Sequence, residues 1–498
     1  MKPILSQSEV MSQEYCCTVV QLGEILEIPN ARTVSKTIVN GRTIVVDKSY
    51  KKGDVMIYCS NETQLNADFL YINNLYSRHY WAMNSNVQEI KEWYEQNTDA
   101  TIDEQNDYLR QHTGYFDLKG RVRMQKLAGE ISMGVLFPFE LFKTWCPSLK
   151  NININDYIGQ DFDTVNDVLF IKAYVPQATH KRPRVGNNTN QKHIKEYDRM
   201  IPGQFTFHYD TTPFEKNITL FKQEDEITIT NKLHGTSYII GNIKVKKPKW
   251  GGLYEKLFLY LPKFLQKSKN DYEVIYSSRT VIKNKNITNK KHKSYSIGLD
   301  ACFDKYYELL KDIMLPGMTF YGEIIGYEEG SNRFIQTVGQ GYDYGCKPGE
   351  NRLMIYRITA TDDDGNKIEL NVDEVHDFTV YLKNICEELG YEEIAKRLLP
   401  IQIFYKGKMK DLYADLDIEN HWHENFLERL KNDKNFGMEE NEIMCRNKVP
   451  REGIVIRKVD DPVAEAFKLK CLKFLGKEAK EMDKETLNDS EIDERYNN

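Results

Sequence analysis

The sequence predicts an α+β protein: a small β-barrel followed by a domain of antiparallel sheets flanked by helices. Three observations carry this expectation. Residues 15–145 hold several short apolar or alternating runs separated by turn signals, the pattern of a small barrel. Strand-like runs return after residue 205 and continue to the C-terminal region. Between them, 371–440 reads as a helical insertion, because apolar residues there recur with helical period.

The first strands lie in YCCTVVQLGEILEI, from Tyr15 to Ile28. Adjacent Cys16 and Cys17 alternate faces and read as packing. KTIV and RTIVVD flank Asn40-Gly41, the pair that a tight type I′ hairpin needs because both residues take positive φ. KKGDVMIYC and GRVRMQKLAGEISMGVLFP add strands, and the polar stretch 87–112 between them is more helix-like. Residues 179–199 read as an exposed linker. FTFHYDT, EITITNKLHGTSYIIGNI, DYEVIYSSRT, MTFYGEIIGY, RLMIYRITA and EGIVIRK are the later strands. In the insertion, Val375, Phe378, Leu382, Ile385 and Leu389 form one apolar stripe. Asn371 with Glu374 resembles a capping box, and Gly390 fits the stop. A second helix is expected over 419–432. The domain boundaries that follow are 1–165 for the N-terminal module and 166–204 for the linker. A domain spanning 205–478 comes next, then an acidic tail, 479–498.

The chain has 498 residues, enough for two or three domains. No run of eighteen apolar residues exists, so no transmembrane helix is expected, and the N-terminus lacks secretory features. Nine scattered cysteines without a C-x-x-C pair favour a reducing compartment over a disulfide framework or zinc site. A formal net charge of −6 does not announce a nucleic-acid binder. Basic runs at 244–250 and 283–293 read as solvated loops or as a phosphate-contacting rim. His421 and His423 are rejected as a metal pair, since i and i+2 diverge on a helix. His208 and Asp210 share a strand face, and hydrogen bonding suits them better than a metal.

The chemistry-bearing candidate is Lys232. K-x-x-G also occurs at Lys126, Lys249, Lys434 and Lys473, so the pattern alone is weak. Only Lys232 is followed by an H-G-T-S turn between strands, where Gly235 permits a turn and Thr236 and Ser237 can brace it. A lysine that attacks phosphorus must be neutral. With an ordinary pKa of ~10.4, burial and neighbouring cations must lower it to roughly 7–8. Cations and acids follow in order: Arg279, Glu323, Glu452, Lys468 and Lys470, with Tyr356 among them. Glu452 stands at a glycine turn entering an apolar strand, where a carboxylate could hold a divalent metal. Lys468 and Lys470 share one strand face and would repel without an anion between them. Each string alone has a bland reading as core packing or surface charge. Six in this order do not.

K-L-H-G-T-S, S-S-R-T, Y-G-E-I, I-Y-R-I, E-G-I-V-I-R and F-K-L-K resemble, in order, the six motifs of ATP-dependent RNA ligases. These belong to the covalent lysyl nucleotidyltransferase superfamily, and the resemblance covers about 205–475. The histidine in K-x-H-G is more like RNA ligases than DNA ligases. The N-terminal pattern resembles the branch whose OB-like module precedes the nucleotidyltransferase domain. The resemblance implies that Lys232 takes AMP from ATP as a phosphoramidate. It implies nucleotide contacts from Thr230, Asn231, Leu233, His234, Gly235 and Arg279. Glu323 would contact ribose, Tyr356 would stack on adenine, and Lys468 and Lys470 would hold phosphates. Glu452 would bind Mg²⁺ (or Mn²⁺). Asn231 departs from the family, which often has Glu there. The expected partner is RNA, or an RNA-containing nicked duplex, joined for repair. A monomer in the cytoplasm, of the host cell if viral, is expected, with no membrane partner. Two other functions stand beside this one: a GTP-dependent capping guanylyltransferase, and a nucleic-acid-binding module with an inactive ligase domain.

Overall fold

The computed structural model describes residues 4–176, 199–246, 270–283, 297–338, 340–417, 419–438, 440–459 and 465–484. The expected linker, most of both basic runs and nearly all of the acidic tail lie outside these. The described residues form two compact units, the first of 4–176 with 482–484 and the second of those from 199 to 481.

In the N-terminal unit the apolar runs become strands of mixed α+β architecture. One antiparallel sheet has the order Gly134–Pro138, Val55–Ser60, Cys17–Gln21, Asp161–Phe162. Val55–Ser60 reads as continuously apolar because each face meets a different core. Met56 and Tyr58 join Val20, Val39 and Ile44 on one side, and Ile57 and Cys59 join Cys17, Val19 and Phe137 on the other. Val34–Val39 and Arg42–Asp47 form the expected hairpin, with φ of 48° at Asn40 and 72° at Gly41. Leu26–Glu27 pairs with Val34–Val39. The pairings do not close a barrel among the described residues. Between Arg42–Asp47 and Gly134–Pro138 the link is a backbone bond from Met133 to Thr43 (3.0 Å) and a side-chain bond from Val45 N–H to Ser132 Oγ (3.0 Å). A ladder does not form there because Gly134, at φ +135°, redirects the chain. Helices Val87–Gln96 and Ile102–His112 fill the polar stretch, the second with a Thr101–Glu104 capping box. All nine cysteines are free, and Cys16 and Cys17 are buried.

The second unit contains two antiparallel sheets. The first runs Thr212–Pro213, Phe467–Lys470, Gly453–Lys458, Glu226–Lys232, Ile403–Lys408. Its outer strand pair, Thr212–Pro213 with Phe467–Lys470, is parallel. The second runs Asn270–Ser277, Thr236–Lys246, Met318–Gly326, Asn351–Thr361, Lys367–Glu369, with Leu398–Pro400 added in parallel to Asn351–Thr361. Helix Val372–Glu388 packs on the second sheet through Val375, Phe378 and Leu382, alongside Phe320 and Ile358. Asn371 and Glu374 complete its capping box. Leu389 departs from the expected stripe: it is 65% exposed, because the chain turns out at Gly390, φ +80°. Helix Trp422–Lys431 packs under the first sheet through Phe426 and Leu430. Among the described residues, no helix is long and apolar enough to cross a membrane.

Candidate active site

The chain passes from one sheet to the other at the Lys232–Thr236 turn. Lys232 is the last residue of its strand, and Thr236 begins the first strand of the second sheet. The crossing is tight. A Cβ on Gly235 would lie 2.4 Å from the Ile324 carbonyl oxygen and 2.8 Å from Glu323 Cγ, so only glycine fits.

Strand register gathers the candidates. Lys232 lies opposite Gly453, and Gly453 opposite Lys470. Thr230 lies opposite Val455, and Val455 opposite Lys468. Directly opposed residues share a sheet face, so Lys232, Thr230, Lys468 and Lys470 line one surface. Phe467 and Leu469 face the core, and the lysines are half-buried. Lys470 is not left to repel Lys468. It stands 3.6 Å from Glu478 and above the Phe474 ring.

On the second sheet, Ser237 lies opposite Glu323. Tyr356 is the extra residue of a β-bulge, where the partner of Tyr321 is Arg357 but that of Gly322 is Ile355. A bulge re-aims one side chain without breaking the sheet. The Tyr356 hydroxyl and Ser237 Oγ both approach His208 Nδ1, at 3.4 and 3.5 Å. Burial, then the Glu323 carboxylate, pushes the Tyr356 phenol up to about 12. His208 is half-buried in the segment before the motif strand, and its backbone N–H donates to the Arg279 carbonyl at 3.4 Å. Asp210 from the same segment pairs with Arg279 at 2.5 Å. His208 and Asp210 therefore engage different partners: one meets hydroxyls, the other an arginine. Burial, then Arg279, Arg357, Lys232 and Lys468, holds the His208 imidazole well below its ordinary pKa.

The central contact is between Lys232 Nζ and Glu452 Oε1, at 2.5 Å. Glu452 is buried, and its Oε2 has no hydrogen-bond partner among the described residues. His234 Nδ1 lies 3.8 Å from that oxygen. The His234 ring is packed edge-on between Tyr342 and Phe474.

Two candidates point elsewhere. Leu233 packs into the core with Ile229 and Ile454. Asn231, one residue from Lys232 on the strand, has its side chain near Met444 Sδ (3.9 Å), while its backbone N–H donates to Gln402. The turn is also not braced by Ser237, which faces His208. Gln336 Nε2 donates to the Gly235 carbonyl at 2.7 Å, and the Tyr344 hydroxyl accepts the His234 N–H at 2.7 Å. The Tyr342 hydroxyl donates to the Pro450 carbonyl, two residues before Glu452. These three residues were missed. Tyr342 and Tyr344 lie in the compact run G-Q-G-Y-D-Y-G, which carries no pattern of its own, and Gln336 lies just before it with no signal at all.

A lysine at a strand end is thus paired with a buried carboxylate on a face that two further lysines line, an arrangement suited to binding and transferring a phosphoryl group. The family model for RNA ligases matches residues 225–475, half of the chain, and the chain belongs to the RNA ligase family. It is an enzyme that joins RNA ends. Among solved structures, an RNA ligase mutant from Naegleria gruberi with ATP and Mn is similar at 18% identity, covering 93% of this chain and 98% of that one, with a TM-score of 0.48. The same organism's RNA ligase with PPi is similar at 17% identity, with the same coverage and a TM-score of 0.49. No curated protein matches the sequence.

Proposed function

We propose that this RNA ligase uses ATP and works through a lysyl-AMP on Lys232. Neutral Lys232 Nζ attacks the α-phosphorus of ATP. A P–N bond forms, and the P–O bond to pyrophosphate breaks. AMP then passes to an RNA 5′-phosphate, freeing the lysine. An RNA 3′-hydroxyl attacks that activated phosphorus, and AMP leaves. The observation that carries this reading is the Lys232–Glu452 pair beside the face lined by Lys468 and Lys470. Catalysis of this kind rests on positioning and on stabilising charge at phosphoryl oxygens. Arg279 and the two lysines would hold phosphates, Glu323 would meet the ribose, and Tyr356 would take the base.

A divalent cation, Mg²⁺ or Mn²⁺, would neutralise phosphoryl charge when bound. Glu452 fits as its protein ligand, since Oε2 is buried and unpartnered among the described residues. No group of three or more His, Cys, Asp or Glu among those residues could hold a metal alone. This suits a cation that takes most of its ligands from phosphate and water.

We read residues 205–478 as the catalytic domain and the N-terminal unit as an OB-like module that positions a nicked, RNA-containing duplex. Support for the OB-like reading comes from the order of neighbours. The 17–27 segment adjoins 34–39, then 42–47, then 130–138, then 55–60, which pairs again with 17–21. If removing this unit from a soluble, adenylylating protein left nick sealing unchanged, that role would be wrong.

The test of the chemistry is covalent labelling. Protein is mixed with α-³²P-ATP and Mg²⁺ and denatured, with Lys232→Ala and α-³²P-GTP in parallel. ATP-specific, Lys232-dependent, acid-labile label is expected. Label from GTP alone would move the reading to capping, and no label from either would favour an inactive, RNA-binding ligase domain.

A further inference from the structure

His208 lies outside the six motifs, yet it stands where they converge. Its segment passes over the active-site face. His208 N–H bonds to Arg279 O, and four residues later Thr212 N–H bonds to Ala466 O (3.0 Å), just before the Lys468 strand. The imidazole is half-buried, with Ser237 and Tyr356 of the second sheet at its Nδ1.

The groups that face it can be named element by element. From its own segment comes Asp210, already paired with Arg279. From the first sheet come Lys232 and Lys468. From the second sheet come Ser237 and Tyr356, each near Nδ1, with Arg357 beside them and Glu323 acting on Tyr356. Arg279 completes the set. Asp210 is engaged by Arg279, Glu452 by Lys232, and Glu369 stands 2.6 Å from Arg357. The imidazole therefore sits beside four cations, Lys232, Lys468, Arg279 and Arg357, with the acids Asp210, Glu323, Glu452 and Glu369 among them. Phosphate oxygens can take up such cations.

We propose that His208 is a fifth cation of the nucleotide site, taking up a proton when a triphosphate binds among these four. The inference rests on the ATP reading above and deepens it. In the free protein the cations and burial both disfavour imidazolium. A triphosphate pairs with Lys232, Arg279 and Lys468 and removes their repulsion. Its oxygens also favour a charged imidazole nearby. Binding then takes up a proton from solvent onto His208, and the imidazolium is held by the phosphates. Proton uptake on binding means that affinity rises as pH falls.

Titration calorimetry with α,β-methylene ATP and Mg²⁺ tests this, because the α,β bond cannot be cleaved and no lysyl-AMP forms. Wild type and His208→Gln are titrated at about pH 7 in two buffers of different ionisation heat. Wild type should take up more protons than the variant, by up to one per nucleotide. Its affinity should also gain on the variant as pH falls from about 8 to 6.5, by up to about tenfold per pH unit, the slope of one-proton linkage. Equal proton uptake and parallel pH dependence would overturn the proposal and leave the ligase reading intact. Should His208→Gln fail to fold, the wild-type imidazole carbon resonance of His208 decides. It should move to the imidazolium position on adding the analogue, and an unmoved resonance overturns the proposal. No binding by wild type would overturn both readings at once.

Discussion

Lys232 Nζ and Glu452 Oε1 meet at 2.5 Å across 220 residues of chain, and each side chain is the other's charge partner in a largely dry turn. Their exposures differ: 23% for the lysine side chain and 6% for the carboxylate. The two single substitutions should therefore be unequal. Lys232→Ala leaves a buried carboxylate without its cation, and breaking a buried pair in this way costs about 3–5 kcal/mol. Glu452→Gln leaves a lysine that can still reach water, so it should cost less. Thermal melts should rank Lys232→Ala below Glu452→Gln and both below wild type. Melts equal to wild type for both variants would show that the pair contributes nothing to stability. Both variants should lose the covalent label.

Tyr344 makes a sharper prediction. Its hydroxyl accepts the backbone N–H of His234, and both residues are buried. Tyr344→Phe leaves that donor without a partner, at a cost of about 1–3 kcal/mol. The substitution touches neither phosphate nor base. The rate of label formation at saturating ATP should fall, while the ATP concentration for half-maximal rate stays near its wild-type value. A change confined to that concentration would assign Tyr344 to nucleotide binding instead.

How far the sequence alone carried this site depends on residue type. Lys232, Glu452, Lys468 and Lys470 were legible because strand alternation and local order place them, and register then brings them together. Asn231 and Leu233, which flank Lys232, were assigned only through the resemblance. Adjacency on a strand puts a neighbour on the opposite face, and Leu233 went to the core. Tyr342, Tyr344 and Gln336 escaped notice because they act through backbone groups about a hundred residues away in sequence. The N-terminal strands were legible from alternation and from Asn40-Gly41. That they stop short of a closed barrel was not, since this turns on two isolated hydrogen bonds, at Met133 and Ser132, and a positive φ at Gly134.

Tyr356 predicts an alkaline limit. Its folded-state pKa is raised from 10.0 to about 12, by burial first and the Glu323 carboxylate second. A raised folded value means that the unfolded chain loses this proton more readily. The stabilising contribution is therefore full below about pH 10 and is lost as pH rises toward 12. Tyr356→Phe removes this ionisation. Its unfolding free energy should decline less steeply than wild type over that interval in chemical denaturation. Identical slopes would mean that the Tyr356 phenol titrates as an exposed one.

Gly235 offers the most local test of the site's architecture. Its backbone passes so close to the neighbouring strand that an added Cβ would lie 2.4 Å from Ile324 O, 2.8 Å from Glu323 Cγ and 2.9 Å from Ile325 Cγ2. The Glu323 side chain can swing away, but the Ile324 carbonyl belongs to the ladder joining Thr236–Lys246 to Met318–Gly326 and cannot. Gly235→Ala must therefore push the turn off the sheet, straining the Gln336 and Tyr344 bonds on either side of it. Overpacking of this kind costs about 1–3 kcal/mol. The displacement also moves Lys232 relative to Glu452, because the turn follows directly on the lysine. The expected result is a folded protein with a lower melting temperature and a loss of label much larger than the loss of stability. If Gly235→Ala melted lower but labelled at the wild-type rate, the tight crossing would serve the sheet alone, and the geometry of Lys232 would be set from its own strand.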